Sequence, residues 1–104
     1  MPVPNYKLDE YFSDLRDVVN YNGTIQAEHR GNTYRVRHWS TTILEFDESK
    51  NKVEHLAHWP ISSTTSRLVG RIIRNLPRGA VAQYLAELAT KYPHDAKRLQ
   101  KMMW

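Results

Sequence analysis

"TIQAEHRGNTYRVRHW", residues 24–39, decides the fold. Two runs, 24–30 and 33–39, alternate apolar with polar side chains and favour β-branched and aromatic residues. Between them sits Gly31-Asn32, a pair suited to a two-residue hairpin turn. Such a turn pairs Ala27 with Val36 and Ile25 with His38. Downstream, "TTILEF" (41–46) and "KVEHLAHW" (52–59) continue the pattern, joined by the polar loop 48–51. The connection at 39–41 contains no glycine. These runs predict a four-strand antiparallel meander.

The register extends from the first hairpin. Val36 opposite Leu44 puts Tyr34 opposite Phe46. The loop at 48–51 then puts Phe46 opposite Val53 and Leu44 opposite His55. One face collects Ile25, Ala27, Tyr34, Val36, Leu44, Phe46, Val53, Ala57 and Trp59. The other carries the row Glu28, Arg35, Glu45 and Glu54. This is the division a half-buried sheet requires, and the mixed charges of the outer row make it no platform for nucleic acid.

Before the meander, residues 7–19 follow a helical period: Leu8, Tyr11, Phe12, Leu15, Val18 and Val19 form one stripe. Asp9 and Glu10 fall in the first turn, where the helix dipole favours acids. Asn20, Asn22 and Gly23 mark its end. After the meander, Pro60 closes the last strand and "SSTTS" (62–66) offers helix caps. Leu68, Val69, Ile72, Ile73 and Leu76 define a helix ended by Pro77. Val81, Tyr84, Leu85, Leu88 and Tyr92 define the next, ended by Pro93. The tail "HDAKRLQKMMW" reads as a short last helix with Leu99 and Met102 apolar. The expected class is α+β: an N-terminal helix, the meander, then two or three C-terminal helices, all packed on the apolar sheet face.

The chain has 104 residues and no cysteine, which predicts one domain, without disulfides or thiolate metal sites, suited to a reducing cytoplasm. No apolar run reaches the roughly 18 residues of a membrane span, and the first residues lack a signal-peptide pattern. The formal net charge is +4. Residues 1–20 are acidic on balance and 21–59 neutral. Residues 60–104 hold eight bases against Glu87 and Asp95 alone. The charge asymmetry predicts an anionic partner for the C-terminal part.

Within that part, "RLVGRIIRNLPR" (67–78) spaces Arg67, Arg71, Arg74 and Arg78 by four, three and four. At about 100° per residue the first three share an arc of roughly 60°, opposite the apolar side. Arg78 lies beyond Pro77. Guanidinium forks suit phosphate or carboxylate. Lys97, Arg98 and Lys101, with Lys91, extend the positive surface. A plain solvated face is the alternative, but a soluble helix ordinarily mixes signs, and residues 62–78 contain no acid. Trp39 falls on the outer sheet face near Arg37 and His58, as a base-stacking or interface contact or, the favoured reading, as packing under "MPVPNY". Trp104 reads the same way, as a terminal anchor.

His29, His38 and His55 share the apolar face in this register. His29 and His38 are nonetheless roughly 13 Å apart at about 3.3 Å per residue, too far for one zinc ion with ligands at about 2 Å. Hydrogen-bonded histidines in or near the core are expected instead, with no metal and no cofactor. No nucleophile elbow, P-loop, zinc-protease or dinucleotide fingerprint occurs, so no enzyme is expected. The serines of 62–66 are occupied as caps.

The order helix, sheet, helix resembles the double-stranded RNA-binding domain in topology, without its glycine-rich strands or its basic helix start. Residues 32–76 carry a closer likeness. "YRVRHWSTTILEFD" followed by "HWPISSTTSRLVGRI" resembles a family of small bacteriophage proteins, in which a strand pair, a tryptophan and a Thr-Thr pair precede a basic helix. The resemblance implies a viral protein acting in a bacterial cytoplasm by binding. Two partners follow: nucleic acid gripped by the arginine helix, or an acidic or nucleic-acid-binding surface of a host protein, occupied as an inhibitor or anti-defence factor would.

Overall fold

A computed structural model describes residues 2–57 and 62–102. A 3-10 turn, Asn5–Lys7, leads into α1 (Leu8–Ser13). Five strands follow: β1 (Val18–Val19), β2 (Ile25–Arg30), β3 (Thr33–His38), β4 (Thr41–Asp47) and β5 (Lys52–Leu56). Three helices close the chain: α2 (Ser63–Asn75), α3 (Arg78–Ala89) and α4 (Pro93–Met102). The strands form one antiparallel sheet in chain order. The class is α+β, as the sequence predicts, with a fifth strand added at one edge. His58, Trp59, Pro60 and Trp104, for which the sequence predicts roles, lie outside the described residues.

The extra strand comes from the end of the expected first helix. That helix stops at Ser13, and Leu15 takes a left-handed φ of 52°. The Arg16 N–H reaches back to the Tyr11 carbonyl (2.8 Å), closing the helix. A leucine there costs about 1 kcal/mol or more. Offsetting contacts hold it: the Arg16 guanidinium lies 4.4 Å from the Tyr11 ring centre, and the Tyr34 hydroxyl donates to the Arg16 carbonyl (2.8 Å). Val18 and Val19 then pair with Ala27 and Gln26. Both are β-branched, so a ladder partner suits them better than another helical turn.

Gly31 takes a φ of 60° at the first hairpin, matching a turn with glycine first. The expected pairs Ala27–Val36, Ile25–His38, Val36–Leu44, Tyr34–Phe46 and Phe46–Val53 all form. Two β-bulges displace the rest. Val36 faces Leu44 but Arg37 faces Thr42, so Ile43 is an extra residue, and it is fully buried. Leu44 faces Leu56 rather than His55, because Glu54 is extra on β5. His55 therefore leaves the apolar face for a place opposite Glu45, where its Nε2 donates to the Thr42 carbonyl (3.3 Å). Leu56 enters the core in its stead. The bulges bend the strands and add apolar area to the covered side.

α1, α2, α3 and α4 all contribute to the core on that side, through Leu8, Phe12, Leu68, Val69, Ile72, Ile73, Val81, Leu85, Leu88 and Leu99. Each such side chain gains about 1.5–3 kcal/mol on burial. The Ser62 hydroxyl caps α2 by accepting the Thr65 N–H (3.1 Å). Leu76 is extended before Pro77, ending the helix. Tyr84 is half-buried and its hydroxyl accepts the Leu56 N–H (3.2 Å). Tyr92, expected on the buried face of α3, is 51% exposed. α3 ends at Ala89, where Thr90 donates to the Glu87 carbonyl, and Pro93 opens α4 rather than merely breaking a helix. A methyl on Gly70 would lie 3.3 Å from Arg74 Nη1 and 3.4 Å from Met102 Cβ, a close but tolerable contact where α2 meets α4.

Candidate functional site

The arginines of α2 divide by what they touch. Arg67 is exposed and has no ion-pair or hydrogen-bond partner among the described residues. Arg71 is half-buried. Its Nε donates to Asp9 Oδ1 at 2.7 Å, and its Nη2 donates to the Asn5 carbonyl. Asp9 Oδ1 also accepts Asn75 Nδ2 (3.0 Å). The expectation that all three arginines aim at solvent is therefore corrected for Arg71, which fastens α2 to α1. The balancing acid is absent from α2 itself and arrives from the neighbouring helix.

Arg74 is exposed, and its Nη1 donates to the Met102 carbonyl (3.0 Å). That is the negative end of α4, where a cation is favoured. The contact brings the last turn of α4, with Lys101, beside α2. Arg78 opens α3 just past Pro77, exposed. Lys97, Arg98 and Lys101 are exposed on α4, with Ala96 and Leu99 turned inward. Thus Arg67, Arg74, Arg78, Lys97, Arg98 and Lys101 are all exposed on the three C-terminal helices. Glu87 and Asp95 are the acids of residues 62–102.

Trp39 corrects the expectation of packing. It is 72% exposed, at the two-residue turn between β3 and β4, with a φ of 57°. A bulky residue in that region costs on the order of 1–2 kcal/mol. Its N–H is pinned to the Thr24 carbonyl (2.7 Å). The N-terminal segment does not cover it but runs along the β1 side, where Val3 bridges Asn20. Tyr6 and Tyr21, which the sequence reading left aside, are similarly exposed, at 76% and 69%. The signal for Tyr21 lies in its neighbours: "NYNG" (20–23) is a turn, and turns project their side chains.

Asn20 holds this end of the sheet together. It is 1% exposed, and every polar group of its side chain is used. Its Oδ1 accepts the Ile25 N–H (3.1 Å), and its Nδ2 donates to Asn5 Oδ1 (2.9 Å) and Thr24 Oγ1 (3.0 Å). A fully satisfied buried network of this kind fixes local geometry. His38 Nδ1 meets Thr65 Oγ1 at 3.1 Å, docking the first turn of α2, and with it Arg67, at the same end.

His29 lies at the opposite end. Its Nδ1 is 2.6 Å from Asp17 Oδ1 and its Nε2 is 2.7 Å from Glu48 Oε1. The Glu48 hydrogen bond, aided by Asp17 and opposed by partial desolvation, raises its pKa above the ordinary 6.5. Both ring nitrogens are occupied, and the two carboxylates lie on opposite sides of the ring. The cluster is thus a clasp between strands, unsuited to proton transfer with a ligand. Burial pushes the Tyr34 hydroxyl up strongly and that of Tyr84 upward. Among the described residues no three His, Cys, Asp or Glu side chains are grouped to hold a metal ion. No described helix is long and apolar enough to cross a membrane. No protein family, curated protein or solved structure matches this chain.

Proposed function

We propose that this protein works by binding nucleic acid rather than by catalysis. The cations exposed on the C-terminal helices grip the phosphates: Arg67 from α2, Lys97 and Lys101 from α4, with Arg74, Arg78 and Arg98 beside them. The observation that carries this reading is the segregation of charge. Residues 62–102 place these cations on the solvent side of the helices, while the outer sheet face neutralises itself through pairs such as Arg35–Glu45 (3.0 Å). A surface of one sign raises the local concentration of an anionic polymer and its association rate. We further propose that it acts inside an infected bacterial cell, the setting that the sequence resemblance of residues 32–76 implies.

A second reading is favoured by one observation, the exposed Trp39 beside the cationic helix. Here the same surface occupies the nucleic-acid-binding site of a host protein, with Trp39 as the central anchor. Fluorescence anisotropy with labelled DNA and RNA at low and near-physiological salt separates the two. Salt-sensitive binding supports the first reading. No binding at low salt overturns it.

A further inference from the structure

The end of the sheet that carries Trp39 has a property the phosphate-gripping helices do not need. Antiparallel strands in chain order put the β1–β2 turn and the β3–β4 turn at one end. Tyr21 and Trp39 sit in those turns, and Tyr6 adjoins them through Asn5, which Asn20 holds. The segments that build this end, residues 2–8, 19–27, 37–44 and 62–70, contain no Asp or Glu. They do contain Lys7, Arg37 and Arg67. The opposite end holds Asp14, Asp17, Asp47 and Glu48 together with Arg16, Arg30, Lys50 and Lys52, so it mixes signs where the Trp39 end carries cations alone.

The rings are exposed by construction. Trp39 is held by its backbone bond to Thr24 in a conformation that disfavours a bulky residue. The Tyr21 N–H is bound to the Val3 carbonyl (3.0 Å). A fixed, strained position such as that of Trp39 is typical of a surface that meets a ligand. Flat aromatic faces among cations, free of carboxylates, match a partner that offers flat rings on an anionic backbone. Bases inside a duplex are stacked on one another and inaccessible to such rings.

We propose that this acid-free end is a stacking platform for unpaired bases, so that the nucleic acid bound is single-stranded. Trp39 and Tyr21 stack on bases, and Arg67 and Lys7 follow the phosphates. The proposal rests on the nucleic-acid reading above and adds the class of strand to it.

The test uses the full chain with a labelled oligothymidylate of roughly 12 nucleotides and a duplex of equal length. Asn accepts a left-handed φ, so Trp39→Asn removes the ring while suiting the backbone; Tyr21→Ser is the companion, and circular dichroism checks both folds. The wild type is expected to prefer the single strand. Each variant is expected to weaken single-strand binding by roughly 5- to 100-fold, with duplex binding unchanged. Equal affinity for both strands, unaffected by the two variants, overturns this proposal and leaves the nucleic-acid reading standing. Binding to neither overturns both and leaves the rings as anchors for a protein.

Discussion

Asp9 Oδ1 and Arg71 Nε lie 2.7 Å apart across 62 positions of sequence, and the pair fastens the first helix to the helix that carries the arginines. It divides residues that look equivalent in the chain. Arg71→Ala is expected to destabilise the protein by about 1–2 kcal/mol, because a charge-assisted hydrogen bond and the link between helices are lost together. Arg67→Ala is expected to change stability by less than about 0.5 kcal/mol while weakening nucleic-acid binding. Urea unfolding of both variants, alongside the anisotropy titration, checks the division.

The histidine clasp makes stability depend on pH. His29 has a raised pKa in the fold, through Glu48 first and Asp17 with it. The fold therefore prefers the protonated ring. The stabilisation is fully present below the unfolded value of about 6.5 and is lost as pH rises through the raised folded value. The clasp is partly exposed, so its contribution stays under about 1 kcal/mol. The urea midpoint of the wild type is expected to gain more over His29→Gln at about pH 5.5 than at about pH 8.5. An equal difference at both contradicts the clasp.

Asn20 has no room for error. Asn20→Ala leaves the Ile25 N–H without its side-chain acceptor and frees Asn5 and Thr24. A loss of about 2–3 kcal/mol is expected, read as a lower thermal midpoint. Hydrogen exchange is expected to speed up at Tyr21 and Trp39, whose backbone bonds belong to the same end.

Trp39 is expected to trade stability for binding. Trp39→Gly relieves the left-handed strain and is expected to raise stability by up to about 1 kcal/mol. The same change is expected to weaken single-strand binding. A clear fall in stability would show that the ring packs on the protein.

Most of the sheet was legible because alternation fixes faces and one sound turn fixes register. Gly31-Asn32 supplied that turn, and the pairs from Ile25–His38 to Phe46–Val53 followed from it. The bulges were not legible: an extra residue at Ile43 or Glu54 has no compositional mark, yet each shifts the pairing beyond it. Val18 and Val19 satisfied a helical period and a strand composition equally, and the open edge of β2 decided between them. At the candidate site, the basic excess of the C-terminal part was plain from charge alone. The engagement of Arg71 was not, because charge balance along one helix is blind to an acid on another. Exposure of Trp39 was hidden too, since a tryptophan at positive φ runs against residue preference.

Phosphate binding by the C-terminal helices is tested most directly by the salt dependence of single-strand binding by the wild type and by a variant with Arg67, Lys97 and Lys101 changed to Gln. Each phosphate contact contributes about 0.7 to the slope of log affinity against log salt. A steep wild-type slope is expected, falling by about 2 in the variant with the fold intact. A slope that is the same in both, or no binding by the wild type at low salt, would contradict phosphate binding by these helices.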